Sequence, residues 1–346
     1  MSGRAENPEP EELGCSVSKG AVVAEVRSPV NRAVLALMLA VSLVLAQAEG
    51  KKPKSWDFGQ LSVSGYVHVQ WQSDYRPAVY PRHSFELRRV RLRFSYIPSD
   101  IGASVELGCD DLQPSVEDAY IQYRINQAFG FVAGLRKMPF SREELTSASK
   151  LMMIERGLSN DRFGDRGFLG RDIGLAVEGE LPDMHLGYSA GVFNGNRARL
   201  SRDYNNAKQF AERVTFGPAD WLALGISGTQ RNDSVTGELV HAYGLDFSCP
   251  LKRLRFDGEV LSGNAEPGDW MLGAWLAAAY RLGAFEPAVK LERLFPDLTT
   301  HATAETEVTV GCNWHPHRRV ELKANLVAGM DAWPGPAVLA QAQMSF

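Results

Sequence analysis

A row of arginines in one short stretch is the feature of this sequence with the clearest chemistry. The stretch 85–96 reads FELRRVRLRFSY and carries Arg88, Arg89, Arg91 and Arg93. Guanidinium groups bind carboxylates and phosphates through paired hydrogen bonds, so this row predicts attraction of anions. Buried charges are tolerated only when they are paired, so these arginines need water beside them.

The same stretch alternates apolar and polar residues with the period of two that is typical of a β-strand. The alternation changes phase at the Arg88-Arg89 pair, so we expect a β-bulge at or near Arg89. One face then carries only large apolar residues, which are Phe85, Leu87, Val90, Leu92, Phe94 and Tyr96. The other face carries Glu86, Arg88, Arg91 and Arg93, and the facing of Arg89 stays open. One sheet between lipid and a water-filled lumen suits both faces.

The rest of the chain repeats this two-faced pattern. Counted from 61–72 to 337–346, it predicts sixteen strands. Short links such as 182–183 alternate with mostly longer ones such as 138–170, although the link near 111–115 is shorter. We therefore predict an all-β fold, a transmembrane antiparallel β-barrel with both termini on the periplasmic side. A soluble sandwich or propeller also alternates, but a sandwich must bury its apolar faces on one another, and no short repeat suggests propeller blades.

An apolar run near the start predicts export. The run 33–46 is too short to span a membrane comfortably but has the length of a signal-peptide core. Arg27 and Arg32 supply positive charge before it, and the residues 46–48, Ala-Gln-Ala, match an A-x-A cleavage site. Cleavage after Ala48 and insertion into the bacterial outer membrane are therefore expected.

Three segments result from this interpretation. Residues 1–48 are predicted to be an upstream extension plus a cleaved signal peptide, and the early Glu- and Pro-rich part suggests that translation starts further downstream. Residues 49–59 are predicted to be a periplasmic tether, and residues 60–346 the barrel domain.

The connection 138–170 is the longest and does not have ordinary loop sequence. Ser141 and Glu144 match a capping box at a helix start. A short helix would gain an apolar side from Leu145, Leu151, Met152 and Ile154, and the glycines at positions 157, 164, 167 and 170 would break the rest of the connection. Loops this long in compact folds are usually functional, so we expect this third long loop to fold inward and narrow the lumen. A surface loop with a stray helix is the alternative.

Several of these stretches resemble a known family, the phosphate-selective porins O and P. They are FELRRVRLRF at 85–94, VEDAYIQYR at 116–124, KMPFSREELTSASKLMMIERGLS at 137–159 and GRDIGLAVEGEL at 170–181. The second half is similar only in its strand pattern and its terminal Phe346, which looks like an assembly signal of outer-membrane proteins.

The resemblance implies a sixteen-stranded homotrimeric channel in which a ladder of arginines guides anions toward a narrow zone. The residues it implies along the pore are Arg88, Arg89, Arg91, Arg93, Arg136 and Lys137. It implies Arg142, Glu143 and Glu144 in the constriction loop. Only Lys137 and Lys150 supply lysine in this half, where the family is expected to have more near its constriction.

Acidic residues crowd the same half of the sequence. Those that could face the arginines are Glu86, Glu106, Asp110, Asp111, Glu117, Asp118, Glu143 and Glu144. Carboxylates on neighbouring strands would neutralise part of the ladder. Mild anion preference or broad diffusion of small solutes is therefore a safer expectation than strict phosphate selection.

Composition excludes some other functions. The net charge of −4 gives no basic excess for general nucleic-acid binding. The 4 cysteines show no metal or redox spacing, and no motif predicts a cofactor. An enzyme would need Ser, His and carboxylate groups that converge, and His68 is the only histidine that the pattern places clearly in the lumen.

These observations predict a channel, and not an enzyme, for passive diffusion of small hydrophilic solutes. The expected partners are small anionic or polar solutes and outer-membrane lipid, and the resemblance implies two further copies of the chain. A non-selective general porin and a barrel that acts as a scaffold or enzyme are the alternatives.

Overall fold

A computed structural model describes residues 61–75, 83–97, 99–195, 203, 208–233, 237–264, 269–298, 304–331 and 336–346. The predicted signal peptide and the predicted tether lie outside the described residues, so both stay predictions.

Sixteen strands form one closed antiparallel barrel, in which neighbours in sequence pair and the first strand pairs with the last. This confirms the predicted fold class. The strands are β1 (Leu61–Asp74), β2 (His83–Tyr96), β3 (Ile101–Asp110), β4 (Gln113–Asn126), β5 (Phe129–Lys137), β6 (Arg171–Leu181), β7 (Leu186–Phe193), β8 (Gln209–Ala219), β9 (Leu222–Asn232), β10 (Leu239–Leu251), β11 (Leu254–Asn264), β12 (Trp270–Tyr280), β13 (Phe285–Phe295), β14 (Glu305–His317), β15 (Val320–Gly329) and β16 (Ala337–Ser345).

The helical elements are short. Within the described residues they are α1 (Arg142–Leu145), α2 (Leu158–Asp165) and two 3-10 turns, Ala148–Lys150 and Pro182–Met184. Among the described residues, none of the helices has the length and apolar character needed to cross a membrane.

The outer face of the barrel is apolar and exposed. Phe85 is 82% exposed, and Ile121, Ile226 and Leu276 on other strands are also exposed. Exposed aromatic side chains collect at the end with the short turns, and they are Tyr96, Tyr123, Phe129, Phe216, Trp221, Tyr280, Phe285 and Trp314. An apolar band with an aromatic girdle is the surface of a barrel in lipid. We call this end periplasmic, because outer-membrane barrels have their short turns there.

Two bulges turn pairs of consecutive charged residues toward the lumen. His68 and Val69 of β1 pair with Arg89 and Leu87 of β2. Arg88 has no partner in this register and is the extra residue of the predicted bulge. A second, unpredicted bulge in β4 has Glu117 as its extra residue. Arg88 and Arg89, like Glu117 and its neighbour Asp118, therefore make their ion pairs on the lumenal side.

The link between β3 and β4 is shorter than the sequence indicated. Asp111 and Leu112 alone form the turn, with φ of 49° and 64°, and β4 begins at Gln113. Two consecutive positive φ angles are those of the hairpin turn that matches strand twist. Asp-Leu is not a typical sequence for such a turn, so the pattern predicted a longer link, near 111–115.

Gly65 interrupts the alternation of β1 because the chain closes there. Gly65 and Phe346 exchange two backbone hydrogen bonds of 3.0 Å. The Phe346 ring occupies the space that a side chain at position 65 would need. The terminal aromatic residue thus closes the barrel between its first and last strands.

The long connection between β5 and β6 contains less helix than predicted. Ser141 does cap α1, because its hydroxyl accepts from the Glu144 amide at 3.3 Å. The helix ends at Leu145, so Leu151, Met152 and Ile154 lie outside it although they are buried. Gly164 does not break the connection, since α2 includes it, whereas Gly157 immediately precedes α2, and Gly167 and Gly170 follow it with positive φ.

Candidate functional site

The segment 138–170, which we call the lumen loop, crosses the inside of the barrel. It contacts β2 through Glu155, β11 through Ser141, and β15 through Ile154. These strands lie far apart around the barrel. One segment can contact the inner faces of all three only if it lies in the lumen. The loop therefore narrows the passage through the barrel.

Apolar contacts hold the lumen loop against one side of the wall. Phe140, Phe163, Phe168 and Leu169 pack on Val240, Ala242, Leu261 and Met271 of β10, β11 and β12. Farther along, Met152 and Met153 pack on Ala277, Ala279 and Ala288. The lumenal face of this wall is thus covered by protein instead of water.

Two wall glutamates accept hydrogen bonds from the start of each helix in the loop. Glu259 accepts from the Ser141 hydroxyl at 2.9 Å and from the Arg142 amide at 2.6 Å. Glu292 accepts from the amides of Leu158 and Ser159 at 3.0 and 2.7 Å. Carboxylates at helix N-termini satisfy amides that have no partner inside the helix. The loop is therefore anchored as well as packed.

Three adjoining cavities remain beside the loop. The outer one lies along β1, β2 and β14 to β16, the middle one along β2 to β6, and the inner one along β4 to β8. The outer cavity has about 460 Å³ and shares Arg89 and Arg156 with a middle cavity of about 650 Å³. The middle cavity shares Gln122 and Arg136 with an inner cavity of about 700 Å³ near the periplasmic end. The shared lining residues place the cavities one after another along the barrel.

The middle cavity has the strongest excess of basic side chains. Its wall side has Arg89, Arg91, Arg93, Arg136, Lys137 and Arg171. Its other side has Arg142, Lys150, Arg156 and Arg255. Against these ten stand four lining carboxylates, Glu106, Asp118, Glu144 and Glu178. The outer cavity, by contrast, has four basic and five acidic lining residues, and the inner cavity has three of each.

Most of the β2 arginines are ion-paired. Arg91 donates to Asp110 at 2.8 Å and lies 3.4 Å from Glu117. Arg93 donates to Glu106 at 2.7 Å and to Asp118 at 2.9 Å. Carboxylates of the adjacent strands thus neutralise Arg91 and Arg93, as the crowding of acidic residues suggested.

Arg171 of β6 joins the same group of charges. It lies 2.9 Å from Glu117 and 2.7 Å from Asp118, and 3.6 Å from Glu106. Glu117 is fully buried, so the fork of a guanidinium is needed to satisfy it. Sequence reasoning missed Arg171, which lies far from its partners in the chain.

Arg88 and Arg89, the two arginines nearest the outer cavity, share one carboxylate from the lumen loop. Glu155 accepts from Arg88 at 2.8 Å and from Arg89 at 2.6 Å, and Arg88 also lies 3.5 Å from Asp111. Although burial opposes ionisation of Glu155, the two arginines outweigh it and hold its pKa below the usual value. These two rungs are therefore paired as well. Nothing in the sequence pattern paired Glu155 with them.

The remaining predicted residues divide between the cavity and the anchor. Arg136 pairs with Glu178 at 2.8 Å. Lys137 lies 3.5 Å from a Glu144 oxygen. Glu143 instead pairs with Lys290 of β13 at 2.7 Å, away from the middle cavity.

Glu144 also pairs with Arg156, which the sequence analysis did not single out, at 3.4 Å. Burial alone would raise the pKa of Glu144, but Lys137 and Arg156 hold it below its usual value.

A pH effect is expected from Asp161 on α2, which lines the outer cavity. Although its side chain reaches the lumen, partial desolvation, together with repulsion from Glu143, Glu155, Glu292 and Asp165, raises the pKa of Asp161 to about 6. Lowering the pH from about 7 to about 5 should then neutralise most of this carboxylate and increase anion preference. Reversal potentials at both pH values measure this.

The variant D161N should already show increased anion preference at pH 7 and should lack the part of the pH response centred near 6. An unchanged response in D161N would contradict the assignment to Asp161.

His68, the histidine predicted to face the lumen, is buried and hydrogen-bonded to Gln343 at 2.8 Å. In the part of the chain that the structure describes, no three His, Cys, Asp or Glu side chains are grouped to hold a metal ion.

Comparisons with known proteins agree with this architecture. The family described as phosphate-selective porin O and P matches residues 68–240. Comparison with curated proteins gives no match.

Three similar solved structures illustrate the fold, and each covers 83% of this chain. The anion-selective porin from Comamonas acidovorans has a TM-score of 0.63 at 13% identity, with 99% of its chain covered. The outer membrane channel DcaP of Acinetobacter baumannii has a TM-score of 0.63 at 11% identity, with 97% of its chain covered. The trimer form of OmpT from Vibrio cholerae has a TM-score of 0.63 at 12% identity, with 99% of its chain covered.

Proposed function

Because this chain belongs to the phosphate-selective porin O and P family, we propose that it is an outer-membrane channel that passes small anions in preference to cations. The three adjoining cavities are its path, and diffusion through them needs neither a cofactor nor an energy source. The apolar outer face with its aromatic girdle supports a location in the outer membrane.

The charge of the middle cavity is the observation that carries the anion preference. Ten basic side chains face four carboxylates there, whereas the cavities on either side are nearly balanced. A solute that crosses the barrel meets this field where the lumen loop narrows the path. Positive potential in a confined passage concentrates anions and repels cations.

Passage requires that each contact be weak enough to release the anion. The lining arginines offer forked hydrogen bonds to an oxyanion, but most already share their donors with carboxylates. An anion therefore replaces part of its hydration shell without meeting a site of high affinity. The proposed pore-lining residues are Arg88, Arg89, Arg91, Arg93, Arg136 and Lys137, with Arg142 and Glu144 from the lumen loop. Phosphate and similar oxyanions are the proposed solutes.

A homotrimer is part of the proposal. The solved trimer form of OmpT has the same fold and supports this assembly. A general porin without selectivity is the second candidate, and the pairing of Arg91 and Arg93 with four carboxylates favours it.

Conductance in planar bilayers under a KCl gradient tests the proposal. We expect stepwise openings with a reversal potential on the anion side. Raising ionic strength from about 0.1 M to about 1 M shortens the Debye length from about 10 Å to about 3 Å, so the preference should decline. Added phosphate should reduce chloride current by competition.

Three other outcomes have distinct meanings. Openings with no reversal potential would make the protein a general porin. A cation-side potential would contradict the proposed field. Folded protein without any conductance would contradict the channel and favour a scaffold.

A further inference from the structure

The largest group of ion pairs on the wall side of the middle cavity carries little net charge. Arg91, Arg93 and Arg171 contact four carboxylates, Glu106, Asp110, Glu117 and Asp118, and none of these contacts is longer than 3.9 Å. Three positive charges against four negative ones leave this group slightly negative. Opposite charges at such distances act as dipoles, whose field falls off faster with distance than that of a single charge.

The opposite side of the cavity has a different balance. Arg142 of α1 lies 3.3 Å from Asp257, and Arg255 of β11 lies 2.5 Å from the same carboxylate. Lys150, at the end of the 3-10 turn, has no hydrogen bond or ion pair from its ammonium group within the described ranges. Three positive charges thus share one carboxylate.

These three side chains are also accessible. The side chains of Arg142 and Arg255 are 25% and 40% exposed, whereas their partner Asp257 is 6% exposed. Lys150 is exposed to the cavity. A hydrated anion can therefore approach the cations, while the carboxylate that would repel it is covered.

We propose that Arg142, Lys150 and Arg255, the loop-side trio, determine the anion selectivity of the channel, and that the β2 arginines mainly hold the charged wall together. This inference rests on the proposed function, because it assigns the residues that carry its selectivity. The trio has two positive charges in excess, which is the largest unpaired charge around the middle cavity. Its ligand is a small hydrated anion that passes without stable binding.

The main test is Lys150→Gln, which removes one charge without removing a contact seen in the structure. One unit charge within one Debye length of the path changes anion and cation entry in opposite directions, so we expect the chloride-to-potassium permeability ratio to fall at least about threefold. The double variant K150Q/R255Q should lower it further. Reversal potentials of refolded channels under a KCl gradient measure both.

The matched control is Lys208→Gln. Lys208 pairs with Asp203 in the connection between β7 and β8, and it lines none of the three cavities. The same chemical change there should leave the ratio unchanged. If K208Q lowers the ratio as much as K150Q does, the effect comes from net charge and the inference fails.

A second comparison separates the trio from the ladder. Replacing Arg93 and Glu106 together by glutamine removes one ion pair of the wall without changing net charge. A larger drop in that double variant than in K150Q would overturn the inference and return selectivity to the ladder. Wild-type channels with no anion preference would instead refute the proposed function, whatever the variants do. If K150Q/R255Q does not fold, K150Q alone decides.

Discussion

Replacing Arg171 by glutamine should destabilise the barrel and reduce its anion preference together. Arg171 contacts Glu117 and Asp118 at 2.9 and 2.7 Å, and its own side chain is only 13% exposed. Removing one partner from a buried charge pair leaves the other charge uncompensated, so the free energy of unfolding should fall by about 3 kcal/mol. The middle cavity also loses one positive charge. Denaturant unfolding and reversal potentials measure the two effects.

The energetic cause can be separated from the loss of side-chain volume. Arg171→Lys keeps the charge but not the fork that reaches two carboxylates, so it should lose less stability and keep its selectivity. Adding Glu117→Gln to the Arg171→Gln variant removes the uncompensated charge and should restore part of the stability. If the changes in the free energy of unfolding from the two substitutions simply add, the lost ion pair is not the cause of the destabilisation.

A matched control lies in the turn between β10 and β11. Arg253 is exposed there, and its side chain makes no hydrogen bond or ion pair in the described part of the barrel. Arg253→Gln should change the free energy of unfolding by no more than about 0.5 kcal/mol. A comparable loss in this variant would show that the assay responds to any lost arginine.

The strands could be predicted because each one separates two unlike environments. Alternation across β2 predicted a two-faced strand with a bulge at or near Arg89, and the register shows that bulge. Arg89 pairs in phase with Arg91 and Arg93, and Arg88 is the extra residue, although the pattern had placed Arg88 with Arg91 and Arg93 and left Arg89 open. The turn at Asp111-Leu112 could not be predicted in the same way, because its residue types do not favour positive φ. Strand patterns report burial, but turn geometry depends on how the flanking strands twist.

One strand contained a signal that the sequence analysis did not use. β12 reads WMLGAWLAAAY and is apolar on both faces. Strands with two buried faces lose their alternation. Met271 and Ala277 face the lumen but lie under the lumen loop, so this sequence already indicated an apolar cover on that side.

The ion pairs of the site could be anticipated only in kind. Acidic residues beside the ladder predicted neutralisation, but the partners depend on register, on the bulge at Glu117 and on the path of the lumen loop. Glu155 is 66 residues from Arg89 in the chain, and no sequence period relates them. Contacts made by a loop across a lumen depend on the folded barrel, and local pattern does not contain them.

Gly157→Ala should detach the lumen loop from the wall and increase single-channel conductance. Gly157 precedes α2, and a Cβ there would overlap the Glu292 carboxylate and the Lys290 ammonium group. Glu292 would have to move away from the Leu158 and Ser159 amides, which donate to it at 3.0 and 2.7 Å. Losing these two charge-assisted bonds should weaken the attachment by about 3 kcal/mol.

The attachment at Glu292 also affects the other helix of the loop. Lys290 lies 3.2 Å from Glu292 and 2.7 Å from Glu143 of α1, so it links the two helices through the wall. Displacing Glu292 therefore loosens the attachment of both helices to the wall. We expect larger and noisier openings in bilayers and faster protease cleavage within 138–170, while the barrel itself stays folded in circular dichroism.

The same loop offers the matched control seven positions later. Gly164 lies within α2, and a Cβ added there meets no atom within 4 Å. Alanine at a helix position is favoured over glycine by about 1 kcal/mol, so Gly164→Ala should keep the wild-type conductance and strengthen α2 slightly. Two identical substitutions in one loop should thus have different effects, because only the one at Gly157 displaces Glu292. If channels with Gly157→Ala show the same conductance and the same rate of protease cleavage as channels with Gly164→Ala, the Glu292 anchor does not hold the loop. The contacts at Glu259 and the apolar contacts of the loop must then do so.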